Sequence, residues 1–139
     1  MPLSKNEKVE LLQRIPLFAE CSKSELIQVA LSADERETPE GDRLTEEGRA
    51  GKEFFLLVEG VVAVTRAGRK LTGLGPGDWF GELAILRFKP RSATVTATSP
   101  VRVLVINDRD LRRVVETTPR IASKLLRNVA QLLDQDARA

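Results

Sequence analysis

GDWFGELAILRFKPRSATVTA, residues Gly77 to Ala97, sets one acid and one base against sequence that otherwise reads as core. Glu82 opens the apolar run Gly81-Glu82-Leu83-Ala84-Ile85-Leu86. Nine residues later Arg91 follows Pro90 and leads into Ser92-Ala93-Thr94-Val95-Thr96-Ala97, which alternates as a strand does. Gly81 to Ala84 reads as the start of a short helix that Pro90 must stop, because proline disfavours helix at the residue before it. The start of so short a helix has mostly unpaired N–H groups and is an anion site, phosphate being the usual anion. Arg91 then faces the same hollow from the other side of the loop, with a planar fork matched to two phosphate oxygens. Ser92 adds a hydroxyl. Glu82 would repel a phosphate, but it would accept hydrogen bonds from a neutral hydroxyl. A ligand with a phosphate and an adjacent ribose hydroxyl meets both demands. The competing reading is a plain Glu82–Arg91 ion pair bracing a loop, and on spacing alone that reading is favoured.

Around this stretch the chain reads as β-structure. From Asp34 to Asn107 the segments are short and rich in Val, Thr and Phe, and all nine glycines lie here. Short strands at this spacing indicate an antiparallel sandwich or barrel. The expected strands are Phe54–Val58, Val61–Arg66, Arg69–Leu74, Ala93–Ala97 and Val101–Ile106, with a tight hairpin at Ala67-Gly68. Both ends read as helix. Ser4-Lys5-Asn6-Glu7 and Ser22-Lys23-Ser24-Glu25 have the form of capping boxes, so two short helices precede Ala33. Asp108 reads as the N-cap of a helix to Thr117, and Pro119 suits the first turn of a final helix. Ile121, Ala122, Leu125, Leu126, Val129, Leu132 and Leu133 would form its apolar stripe.

Composition removes several function classes. The chain has 139 residues and no histidine, so the commonest general base, metal ligand and pH switch are all missing. Cys21 is the sole cysteine, which rules out an intrachain disulfide or a CxxC site and suits a reducing compartment. A formal net charge of +2 does not argue for nucleic acid or anionic membrane. The first residues lack a signal pattern, and no apolar run approaches the roughly 20 residues of a membrane span. Gly73-Leu74-Gly75-Pro76-Gly77 fails as a dinucleotide fingerprint because Asp78 stands where a third glycine is needed. Gly51-Lys52 lacks the hydroxyl residue of a phosphate-binding loop. The acids Asp34, Glu35, Glu37, Glu46 and Glu47 read as solvated turns and strand edges, and Trp79 and Phe80 as core.

FGELAILRFKPRSATVTA resembles the phosphate-binding cassette of cyclic-nucleotide-binding domains. Phe80, Gly81, Glu82, Leu83, Ala84, Pro90, Arg91, Ser92, Ala93 and Thr94 match its pattern, and so do Gly41, Glu47-Gly48, Phe55, Gly60 and Pro76-Gly77-Asp78 upstream. The resemblance covers nearly the whole chain. It implies an α+β fold: an antiparallel, eight-stranded β jelly-roll flanked by N-terminal helices and two C-terminal helices, the last acting as lid. It implies that Glu82 binds the ribose 2′-hydroxyl and Arg91 the cyclic phosphate. Backbone amides near Gly81, Leu83, Ala84 and Ala93 would complete the cradle, and Ser92 would touch the phosphate or a purine edge. Val62, Val64, Leu71 and Thr72 would line the base, with Gln131, Leu132 or Leu133 of the lid beside it. Arg87-Phe88-Lys89 departs from the pattern with bulk and charge where many relatives are small or acidic. The lid also lacks an aromatic for stacking.

The sequence therefore reads as one cyclic-nucleotide-binding domain over residues 1–139. Helices occupy 1–33, the β-roll 34–107 with its cassette at 80–94, and hinge and lid 108–139. The expected function is a cytoplasmic receptor for cAMP, or cGMP, and not an enzyme. No metal or cofactor is expected, and neither nucleic acid nor membrane as a partner. No DNA-binding, kinase or channel segment is expected with it, and output is expected through an effector protein, a homodimer formed by the C-terminal helix, or simple ligand buffering. The alternative is an interaction scaffold that keeps the fold without nucleotide. A phosphate-sugar enzyme on the same roll is remote, for want of histidine and of paired carboxylates.

Overall fold

A computed structural model describes residues 2–14, 18–19, 21–81, 91, 93–123, 126–127 and 130. Two helices come first, α1 (Lys5–Gln13) and α2 (Lys23–Ser32). Each begins with a complete capping box, Ser4 with Glu7 and Ser22 with Glu25. In the second, the Ser22 hydroxyl accepts from Glu25 N at 3.2 Å while the Glu25 carboxylate accepts from Ser22 N at 2.7 Å. That backbone N–H is the main reason the Glu25 carboxyl lies below its usual value. Its stabilising effect is therefore present at neutral pH and is lost as pH falls through the lowered value. Ser22→Ala should cost about 1 kcal/mol in a denaturant titration at neutral pH.

Eight strands follow: β1 (Asp34–Thr38), β2 (Arg43–Thr45), β3 (Glu53–Glu59), β4 (Val62–Arg66), β5 (Arg69–Leu74), β6 (Trp79–Phe80), β7 (Thr94–Ala97) and β8 (Val101–Asn107). They form two antiparallel four-stranded sheets, ordered β1-β8-β3-β6 and β2-β7-β4-β5. The β4–β5 hairpin turns at Ala67 (φ 52°) and Gly68 (φ 78°), as a two-residue loop with both φ positive requires.

The strand faces explain the layering. On β3, Phe54 and Leu56 point to one side and Phe55 and Leu57 to the other; on β8, Leu104 and Ile106 oppose Val103 and Val105. The first set packs with Leu12, Leu26, Val29 and Ile121 in a core under the helices. The second set packs with Val62, Phe80, Val95 and Ala97 in a core between the sheets. β3 and β8 are thus buried on both faces, which is why they read as continuous apolar runs.

The structure adds three strands that residue pattern does not single out, and the resemblance anticipates their number. β1, with the sequence DERET, is an edge strand held by its ladder to β8; β2 and β6 are three and two residues long. Charge on an exposed edge discourages pairing with another chain. A correction concerns the helix after β8, α3 (Asp108–Thr117). Its N-cap is Asn107, whose Oδ1 accepts from Asp110 N at 2.8 Å, while Asp108 lies inside the first turn and pairs with Arg112 at 3.3 Å. Residue 118 breaks the helix and residues 119–123 are helical again. Among the described residues, no helix is long and apolar enough to cross a membrane.

Candidate functional site

Arg91 is held along its whole length. Its backbone N–H donates to Arg49 O at 2.8 Å and its carbonyl accepts from Gly48 N at 2.9 Å, so the loop between β2 and β3 grips the main chain. The side chain runs inward and is 8% exposed, and Nη2 donates to Glu53 O at 2.8 Å. The guanidinium carbon lies 5.8 Å from the Phe55 ring centroid, and Phe55 stacks on Phe80 at 4.8 Å. A guanidinium over a desolvated ring face is favourable, and here both neighbours belong to the inter-sheet core.

Two glycines make the slot. A Cβ on Gly51 would overlap Arg91 Nε and Cζ, so the guanidinium lies against bare backbone. A Cβ on Gly81 would fall 2.7 Å from Glu53 O and 3.0 Å from Arg91 Nη1, and Gly81 has φ +89°, a conformation glycine adopts without strain. Nη1 is thus on the Gly81 side, at the head of the segment that begins with Glu82.

The chain after Arg91 is fixed by hydroxyls. Thr45, 7% exposed, donates to Ala93 O at 3.0 Å and accepts from Val95 N at 3.1 Å, bridging the register shift between β2 and β7. Thr94 Oγ1 accepts from Glu47 N at 3.0 Å, and the Glu47 carboxylate accepts from Ala67 N at 2.9 Å. The same loop reaches α3, because Asp108 N donates to Lys52 O at 2.6 Å.

The structure brings Gly81, Arg91 and Ala93 together around this loop. Of the expected base wall, Val64 and Thr72 are paired across β4 and β5, and Leu71 is the extra residue where the register shifts between Val64 and Thr65. Leu71 is 52% exposed and Thr72 is exposed. Val62 is 1% exposed and belongs to the inter-sheet core. A groove of about 740 Å³ also borders Arg91, on the side of β2 and α3, and no β4 or β5 residue lines it. Glu82, Leu83, Ala84, Ser92, Gln131, Leu132 and Leu133 lie outside the described residues, as does the Arg87-Phe88-Lys89 departure. Sequence reading gave no site role to Gly51, Thr45, Glu47 or the Glu53 carbonyl. In the structure Gly51 has no positive φ, so the space that Arg91 occupies rather than turning explains it.

A family model described as a cyclic nucleotide-binding domain matches residues 35–118. The chain is 35% identical over 133 residues to a cAMP-dependent protein kinase regulatory subunit of Mycosarcoma maydis, covering 93% of this chain and 24% of that protein. It is 34% identical over 113 residues to a cyclic nucleotide-gated potassium channel of Mesorhizobium japonicum, covering 81% and 31% respectively. The chain thus spans less than a third of the length of either relative. A cAMP complex of the regulatory domain of Toxoplasma gondii PKA superposes with a TM-score of 0.81 at 20% identity, over 91% of this chain and 50% of that one, a likeness of fold.

Proposed function

Because the chain belongs to the cyclic nucleotide-binding domain family, we propose that it is a receptor whose one domain, residues 1–139, binds cAMP or cGMP and signals occupancy through its C-terminal helices. The observation that carries the reading is the buried guanidinium of Arg91, seated by Gly51, Gly81, Phe55 and the Glu53 carbonyl. A guanidinium seated in this way presents a planar fork matched to two oxygens of a cyclic phosphate at the Gly81 side.

In this reading Arg91 takes the phosphate and Glu82 the ribose 2′-hydroxyl. Amides of Gly81, Leu83, Ala84 and Ala93 complete the cradle with the Ser92 hydroxyl. Val64, Leu71 and Thr72 form the base wall, which Val62 backs, and Gln131, Leu132 and Leu133 close over it. The break at Thr118 between α3 and the helix beginning at residue 119 is the hinge. The ligand favours the closed state only by its differential affinity for the two states. Asp108 N on Lys52 O ties α3 to the loop that grips Arg91, which supports coupling between phosphate and hinge. The protein acts as a cytoplasmic binding module rather than an enzyme, and hands its state to an effector or a second copy.

A thermal-shift panel of cAMP, cGMP, cCMP, cUMP and the linear mononucleotides tests this. A cyclic purine ligand at about 100 times its Kd should add about 2.7 kcal/mol of stability. Equal shifts with linear nucleotides, or none with any cyclic one, would overturn it. Glu82→Ala should cost less affinity for a 2′-deoxy analogue than for the parent nucleotide; an identical cost would remove the hydroxyl role.

A further inference from the structure

We propose that the groove between β2, the β2–β3 loop and the start of α3 docks an acidic, extended segment of a partner protein. Among the described residues, five cations line it, Arg43, Arg49, Lys52, Arg91 and Arg109, against three acids, Glu46, Glu53 and Asp108. The acids are already engaged. Glu46 pairs with Arg49 at 2.8 Å, and Asp108 with Arg112 at 3.3 Å. Glu53 holds Arg36 through two bonds, at 2.6 and 3.2 Å, and that pairing raises the Arg36 pKa. Arg91 is fixed in its slot. Arg43, Lys52 and Arg109 remain: all three are exposed, and none has an ion pair or side-chain hydrogen bond among the described residues.

Arg109 is the informative member. It sits in the first turn of α3, where the helix dipole disfavours a positive charge. A cation placed there without an internal partner is at a local disadvantage that an external anion would reverse. Arg43, Lys52 and Arg109 come from three separate segments around one hollow of about 740 Å³, a size that takes a short peptide stretch. Leu44 and Ala50 add apolar wall between them. Concavity with apolar wall favours a peptide over a nucleic-acid backbone, as does the near-neutral chain, at formal charge +2. The three docking cations, Arg43, Lys52 and Arg109, are not residues of the proposed nucleotide site, although Arg91 borders the same groove.

The test is fluorescence anisotropy at about 0.1 M salt with a labelled peptide of alternating Glu and Ala, its Gln counterpart, and a DNA duplex. The Glu peptide should bind about tenfold or more tightly than the Gln peptide, and Arg43→Glu with Arg109→Glu should remove that preference. Lys52→Ala alone should weaken it by a smaller factor. Each variant is checked for its cyclic-nucleotide thermal shift, which should persist and so separates loss of docking from loss of fold or of the nucleotide site. If the two substitutions together abolish that shift, the three single neutral variants, each to Ala, decide the question in their place. Glu and Gln peptides binding alike, or a preference that survives removal of the cations, would overturn the proposal. Tighter binding of DNA than of the Glu peptide through the same residues would assign the groove to nucleic acid and overturn it equally.

Discussion

Gly51→Ala is expected to leave the fold standing and to cut cyclic-nucleotide affinity by about 2–3 kcal/mol, roughly 30- to 150-fold. The three atoms nearest the added methyl would be Nε, Cζ and Cδ of Arg91, all in one side chain. The chain accommodates it by displacing the Arg91 side chain from Glu53 O and the Phe55 ring. Gly51 has no positive φ, so alanine fits its backbone conformation and removes unfolded-state freedom, a gain of about 0.4–1 kcal/mol that offsets the disturbance. The phosphate site loses its arginine position without losing the arginine. Thermal denaturation and calorimetry on the same sample read both effects. Unchanged affinity would mean that Arg91 reaches the phosphate from outside the slot, which contradicts the role given to Gly51.

Arg91→Ala should have the larger effect, about 2–5 kcal/mol of binding, as expected when one partner of a buried charge pair is removed. The substitution also takes away the bond to Glu53 O and the contact over Phe55. Arg91→Lys should fall between alanine and wild type. It keeps the charge, but a lysine cannot hold Glu53 O and present a second donor toward Gly81 in one plane. Affinity equal to wild type in Arg91→Lys would reduce the role to simple charge.

Much of this architecture was legible because local chemistry and tertiary packing agree. The capping boxes at Ser4 and Ser22 satisfy their own helix starts, so neighbouring residues alone decide them. The Ala67-Gly68 turn is likewise local. β3 and β8 could be found because burial on both faces makes them apolar throughout. DERET could not, since its five residues become a strand only by pairing with β8, and its charges suit the edge it occupies. The N-cap was misplaced by one residue because Asn107 and Asp108 are both good caps, and only the bond to Asp110 N distinguishes them.

The site divides in the same way. Arg91 was legible from its position after Pro90 and from the extended match around it. What seats it was not. Gly51, Thr45 and the Glu53 carbonyl lie 38 to 50 residues away from the groups they meet, and backbone carbonyls carry no sequence signature. Long-range backbone contacts of this kind become visible only when the fold brings the loop between β2 and β3 against the cassette.

The most direct test of the central claim is isothermal titration of cAMP into the wild-type chain and into Arg91→Ala under identical conditions. The account predicts measurable 1:1 binding by the wild type and a loss of about 2–5 kcal/mol in the variant. Equal affinities would contradict it, because the buried guanidinium would then not be the phosphate ligand.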